Sequence, residues 1–235
     1  MSDQQRSLRT HARASSSVDE FLHRAGSVAT SDGGPARGRL IFALDATMSR
    51  QPTWDLALSL QGRMFDVTAE LGGLDVQLVY FRGLSECRAS PFTSGGAGLA
   101  RYMSRISVQG GNTQIGRVLR HARDEASRAR VGVLVYVGDC VEERIDGLCA
   151  TAGELALLGV KAFMFHEGQD AAARRAFGEI ARLTGGVYAA FDPSAPGRLA
   201  ALLAAAAAYA AGGNTALEAQ ARDGGVARAL LAQLR

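Results

Sequence analysis

The chain of 235 residues holds one lysine (Lys161), one tryptophan (Trp54) and three cysteines. Each scarcity excludes something. A phosphate-cradling P-loop ends in Gly-Lys-Ser/Thr, and no such triplet occurs. Any Schiff-base or phosphate-binding lysine would have to be Lys161. That residue heads a predicted strand, the wrong end of an α/β sheet for a ligand site. Cys87, Cys140 and Cys149 show no metal-ligand or disulfide spacing, and read as free thiols in a reducing compartment. No apolar run has the 18 residues that would read as a membrane span; the longest, Leu199 to Ala211, is mostly alanine between Arg198 and Gly212. Arg6, Arg9 and Arg13 near the N-terminus are followed by no apolar stretch of a secretory signal, so the cytoplasm is the expected location.

What remains is an ordinary globular composition. Hydrophobic residues make up 47% of the chain, enough for the core of one large domain. The net charge of +3 comes from arginines spread along the chain, without the concentrated patch of a nucleic-acid footprint.

Three regions follow from the pattern. Residues 1–38 are rich in Ser, Arg and Gly and predict a mobile arm. It carries one short helix from Val18 to about Ala25, opened by a capping box of Ser17 and Glu20. Residues 39–211 alternate strands and helices. Strands are predicted at Leu40–Asp45, Asp75–Phe81, Val131–Val137, Val160–Phe165 and Val187–Phe191, with an antiparallel edge strand at Glu86–Phe92. Helices are predicted at about Pro52–Leu71, Leu99–Ile106, Gln114–Arg130, Glu142–Leu158, Ala171–Leu183 and Arg198–Ala211. This alternation predicts an α/β fold: a doubly wound, mainly parallel sheet with helices on both faces and one antiparallel edge strand. Residues 212–235 read as a tail whose Val226, Leu230 and Leu234 recur at helical spacing.

Leu40-Ile41-Phe42-Ala43-Leu44 reads as a strand buried on both faces. It stops at Asp45, and Thr47 and Ser49 follow at alternate positions. A carboxylate and two hydroxyls on a turning loop offer the hard oxygen ligands that Mg²⁺ prefers. Thr113 lies in the loop Gln109-Gly110-Gly111-Asn112-Thr113, where the glycines are expected to permit a tight turn. Asp139 ends the other long apolar strand. In a doubly wound sheet these strands can be central neighbours, bringing Asp45, Thr47, Ser49, Thr113 and Asp139 around one point. The alternative is capping, of the following helix by Thr113 and of the helix near Glu142 by Asp139.

This pattern resembles the von Willebrand factor type A (VWA) domain and its metal-ion-dependent adhesion site (MIDAS). That family carries Asp-x-Ser-x-Ser after the first strand, a Thr in a Gly-rich loop and an Asp after the fourth strand. Here these are Asp45-x-Thr47-x-Ser49, Thr113 and Asp139. Thr47 keeps the hydroxyl of the serine it replaces, and the family's Asp-Gly becomes Asp139-Cys140. The resemblance covers about Arg39 to Ala211 and is to the standalone intracellular bacterial type. It implies that Thr47 and Ser49 bind Mg²⁺ or Mn²⁺ through their hydroxyls. Asp45 and Asp139 would supply charge, partly through water, and Thr113 would join directly or through water. It further implies a non-catalytic adaptor that recognises an acidic residue of a partner protein, such as an ATP-driven chaperone-like machine.

Two other functions compete. A haloacid-dehalogenase-type phosphoryl-transfer hydrolase also begins with an Asp after a strand. It needs a second Asp where Thr47 stands, and a lysine near a later strand. A nucleic-acid-binding protein would use Arg117, Arg120, His121, Arg123 and Arg128, but Asp124 and Glu125 interrupt that helix. His166 and Glu167 read as loop residues after their strand, near the rim of the metal site.

Overall fold

The computed structural model describes residues 37–192, 194–223 and 225–234, without the side chains of Ser49 and Asp223. The expected N-terminal helix and its capping box lie outside the described residues.

Six strands form one sheet in the order β3-β2-β1-β4-β5-β6. They are β1 (Gly38–Asp45), β2 (Leu74–Arg82), β3 (Glu86–Ala89), β4 (Val133–Gly138), β5 (Lys161–Glu167) and β6 (Val187–Phe191). All pairings are parallel except β2 with β3, where Val79 faces Ala89 and Arg82 faces Glu86. The helices are α1 (Gln51–Leu60), α2 (Gly62–Asp66), α3 (Gly96–Met103), α4 (Ile115–Arg128), α5 (Ile145–Leu157), α6 (Ala171–Leu183), α7 (Pro196–Asp223) and α8 (Gly225–Leu231). Alternation along β1 divides the core into two layers. Leu40, Phe42 and Leu44 pack with Trp54, Met64, Leu99, Leu203 and Leu217. Ile41 and Ala43 pack on the opposite face with Val118, Leu148 and Phe177. The result is the doubly wound α/β architecture expected, antiparallel edge strand included.

The edge strand stops at Ala89 rather than Phe92, and the helices expected at Leu99–Ile106 and Glu142–Leu158 run Gly96–Met103 and Ile145–Leu157; three further differences bear on the fold and the site. The single helix expected from Pro52 to Leu71 is broken into α1, α2 and a 3₁₀ turn at Ala69–Leu71. The Thr68 hydroxyl donates to the carbonyls of Met64 (3.0 Å) and Phe65 (3.1 Å), the kind of local bonding that competes with a continuing helix. The alanine-rich helix runs past Ala211 and bends at Gly213, whose φ of 63° is one that glycine adopts readily. Its length and composition alone would allow a membrane span, yet Leu199, Leu202 and Leu203 are core residues on the sheet. Leu217, Ala221, Ala227 and Leu230 continue the same layer. Finally, β5 extends to Glu167, which makes His166 and Glu167 strand residues rather than loop residues.

Candidate metal centre

In this strand order the chain leaves β1 toward β2 on one side and later fills β4 on the other. The crevice beyond the carboxyl ends of β1 and β4 is therefore the topological switch point, where open α/β sheets bind ligands. Asp45 is the last residue of β1 and Asp139 follows β4 directly. Lys161 heads β5 at the opposite edge, roughly 20 Å away along the strand at about 3.3 Å per residue.

The β1 loop is organised around Asp45. Its carboxylate is buried, and Oδ1 accepts the Thr47 N–H at 2.7 Å. Thr47 is buried and extended, and precedes a 3₁₀ turn over Met48–Arg50. Ser49 lies in that turn, with its side chain outside the described residues. The Gly-rich loop is laid onto this segment by a bond from the Gln109 N–H to the Ala46 carbonyl, 3.0 Å. Neither of the two loop glycines has a positive φ. Instead Gly111 permits a close approach: a Cβ there would sit 2.1 Å from the Gly83 carbonyl oxygen.

Thr113 is buried and clasps the loop after β4. Its N–H donates to Glu142 Oε2 at 2.8 Å, and its hydroxyl accepts the Glu142 N–H at 3.1 Å. It does not cap α4. That task falls to Glu143, whose carboxylate accepts the N–H groups of Ile115 (2.6 Å) and Gly116 (2.8 Å). Asp139 does not cap α5 either; the residue before that helix is Arg144, with no side-chain cap. At α4 the cap is thus a carboxylate reaching across from the loop after β4, and at α5 no side chain takes that place.

The electrostatics of the crevice are unusual. Burial pushes the Asp45 carboxyl up to about 6, against the hydrogen bonds from Thr47; the charge of Asp139 adds to the rise and Arg50 opposes it. Asp139 Oδ1 is buried with no hydrogen-bond partner, and so is the Tyr136 hydroxyl, which burial and then Asp45 hold well above its usual pKa. Arg50 is 3% exposed. Its guanidinium bonds Glu167, which also accepts the Thr53 hydroxyl, and lies 3.7 Å from Asp139 Oδ2. Burial acts to lower the Arg50 pKa, but the bond and charge of Glu167, then Asp139 and Asp45, raise it. His166 is fully buried behind the site. Its Nε2 lies 3.2 Å from the Asp139 carbonyl and its Nδ1 2.8 Å from the Tyr188 hydroxyl. A carbonyl only accepts, so Nε2 carries the proton. Burial, opposed by that bond, keeps the ring below its usual pKa. Burial and then Asp139 push the Cys140 thiol to about 12, so Cys140 is no thiolate nucleophile.

These groups fit a hard divalent cation. The donors are carboxylate and hydroxyl oxygens, and one carboxylate oxygen is buried and unpartnered. Asp45, Asp139 and Glu167 against the one guanidinium leave two negative charges, and Glu142 on Thr113 adds a further carboxylate nearby. Among the described residues no group of three or more His, Cys, Asp or Glu side chains is placed to hold a metal, so a site of soft or imidazole ligands has no candidate. Sequence reasoning missed Arg50, Thr53, Glu142 and Glu143. Arg50 directly follows the hydroxyl motif, but an arginine carries no signal of its own burial.

The fold has known counterparts. The chain is similar to the VWA domain of SpRpn10, with a TM-score of 0.56 and 13% identity over 74% of this chain and 95% of that one. It is similar to an aerotolerance-related membrane protein from Bacteroides fragilis, with a TM-score of 0.53 and 20% identity over 71% and 98%. It also resembles proximal thread matrix protein 1 of the mussel byssus, with a TM-score of 0.58 and 16% identity over 74% and 46%. That structure has a zinc-occupied MIDAS motif. At these identities the likeness establishes a shared VWA-type fold. No family model and no curated protein matches the chain.

Proposed function

We propose that the chain is a metal-dependent protein-binding module with no catalytic role. The observation that carries this reading is the crevice at the switch point. Asp45 ends β1, Asp139 follows β4, and the Gly-rich loop that carries Thr113 is bonded to both of those segments, which supports a shared site. In this reading Asp45, Thr47, Ser49, Thr113 and Asp139 hold Mg²⁺ or Mn²⁺. The cation supplies a hard Lewis-acid position with coordination sites left to water. The chain's own residues set the rest. The Thr113–Glu142 clasp fixes the two outer loops relative to each other, and His166 fixes the backbone at Asp139. A carboxylate from a partner protein then completes the coordination, so the recognised feature is an exposed Asp or Glu.

The fold shared with VWA and MIDAS-bearing proteins supports this reading, as does the threonine at position 47, where a haloacid-dehalogenase-type hydrolase needs its second Asp. We place the module in the cytoplasm, as an adaptor for a larger machine of the ATP-driven, chaperone-like kind. The test is a pull-down from lysate with Mg²⁺ or with EDTA, alongside calorimetric titration of Mg²⁺ and Mn²⁺ into the purified chain. Metal binding and EDTA-sensitive capture are expected, both lost in Asp45→Ala. Capture that is indifferent to EDTA and to Asp45→Ala would overturn the reading.

A further inference from the structure

Arg50 is the one arginine or lysine that is buried among the described residues. It is held between two sets of carboxylates. On one side Glu167 accepts both its guanidinium and the Thr53 hydroxyl. On the other, Asp139 Oδ2 stands 3.7 Å from its Nη1. Its Nε is buried with no partner. The pair Arg50–Glu167 is neutral as a whole but is oriented, with the positive group toward Asp139. The two oxygens of Asp139 are therefore in different situations: Oδ2 faces a guanidinium, and Oδ1 is buried and unpartnered.

We propose that Arg50 is a built-in cation that competes with a divalent metal for the charge of Asp139, and so sets the metal affinity of the crevice. The inference rests on the metal-binding reading above. Without metal, Arg50 keeps buried Asp45 and half-buried Asp139 from facing each other uncompensated, so the loops stay folded. With metal, the same guanidinium repels the incoming cation at short range in a medium that screens poorly. The affinity for metal alone is therefore held down. A partner carboxylate, which adds a negative charge, raises it. Metal and acidic partner then bind together rather than in sequence, each strengthening the other. Glu167 is the counterweight. It holds Arg50 back from the aspartates, and without it the guanidinium is free to pair fully with Asp139.

The test titrates Mn²⁺ into wild type, Arg50→Met, Glu167→Gln and the double variant, reading bound metal by electron paramagnetic resonance and stability by melting in EDTA. Methionine keeps an apolar stem of similar length. Arg50→Met should tighten Mn²⁺ binding by about tenfold or more, and should lower the melting temperature in EDTA. Glu167→Gln should weaken Mn²⁺ binding. Arg50→Met alone leaves Glu167 as a half-buried charge without its cation and can fail to fold. The double variant has no such charge, so its comparison with Glu167→Gln asks the same question, and it should bind more tightly than Glu167→Gln. Binding by Arg50→Met but not by wild type would support the role of Arg50 and overturn the metal dependence proposed for the natural chain. Removal of Arg50 that leaves Mn²⁺ affinity unchanged or weaker, in either background, would overturn the inference.

Discussion

The two ends of the parallel sheet treat charge in opposite ways. At the amino end, charged side chains are exposed or half-buried and have partners. Arg37 pairs with Asp75 at 2.8 Å, and Ser94 bonds the same carboxylate oxygen. Arg39 lies 3.9 Å over the Phe92 ring and 3.7 Å from Glu125. At the carboxyl end Asp45 and Arg50 are buried, and atoms of Asp139, Arg50 and Tyr136 have no partner. Burying polar atoms without partners costs stability. A fold that satisfies charge at one end and leaves it unsatisfied at the other has placed its cost where a ligand can offset it.

Breaking the carboxyl end should give the largest effect. Asp45→Ala should abolish the rise in melting temperature that millimolar Mg²⁺ or Mn²⁺ gives the natural chain. In EDTA at neutral pH the same variant should melt no lower than wild type, because a carboxylate that burial disfavours has been removed. A metal-induced shift that survives in Asp45→Ala would put the cation elsewhere.

Acid sharpens the same contrast. The Asp45 carboxyl titrates near 6 in the folded chain, above its ordinary 3.8. Folding therefore favours its protonated form. This contribution is complete below about pH 3.8 and is lost as the pH rises through about 6. In EDTA, stability from this group should fall between pH 4 and pH 7 by on the order of 2–3 kcal/mol. Metal needs the ionised carboxylate, so the metal-induced stabilisation should grow over the same window. Urea melts at several pH values, with and without Mg²⁺, measure both. Asp45→Asn should flatten both curves.

The loops that frame the crevice should respond less. Thr113→Ala loses the bond from the Glu142 N–H but not the cap on α4, which Glu143 provides. It should fold, bind metal somewhat more weakly and lose more affinity for an acidic partner. Glu143→Ala, in contrast, removes the cap from Ile115 and Gly116, and should cost about 1–2 kcal/mol of stability. Metal affinity per folded molecule should be unchanged. If Thr113→Ala loses stability and keeps partner binding, Thr113 is structural and nothing more.

How much of this was legible in the sequence depends on what each feature needs. Leu40 to Leu44 announce a buried strand because five apolar residues in a row leave no solvent face. The doubly wound sheet follows from strands and helices that alternate. Asp45 and Asp139 were legible as ends of such strands. The partners of Arg50 and Thr113 were not, because they lie 117 and 29 residues away and are brought near only by the strand order. β5 runs two residues past its expected end for a related reason. His166 and Glu167 are polar and read as loop, whereas one bonds the Asp139 carbonyl and the other the Arg50 guanidinium. Polar residues at a strand's carboxyl end look like loop until their partners are known.

The smallest effect belongs to the amino end, and it is the control for the comparison. Arg37 is 42% exposed and Asp75 25%. An ion pair in that setting gains little in water and is screened by salt, so it is worth about 0.2–1 kcal/mol. Arg37→Ala also gives up a part-buried bond from the guanidinium to the Leu74 carbonyl, 3.1 Å. The variant should therefore melt within a few degrees of wild type, and 0.5 M NaCl should shrink the difference further. Its Mg²⁺ response and its pH profile should match wild type, since the lost charge lies at the far end of β1 from Asp45. A change in metal affinity in Arg37→Ala would mean that charge is coupled along the length of the sheet, and the two ends could no longer be treated as separate.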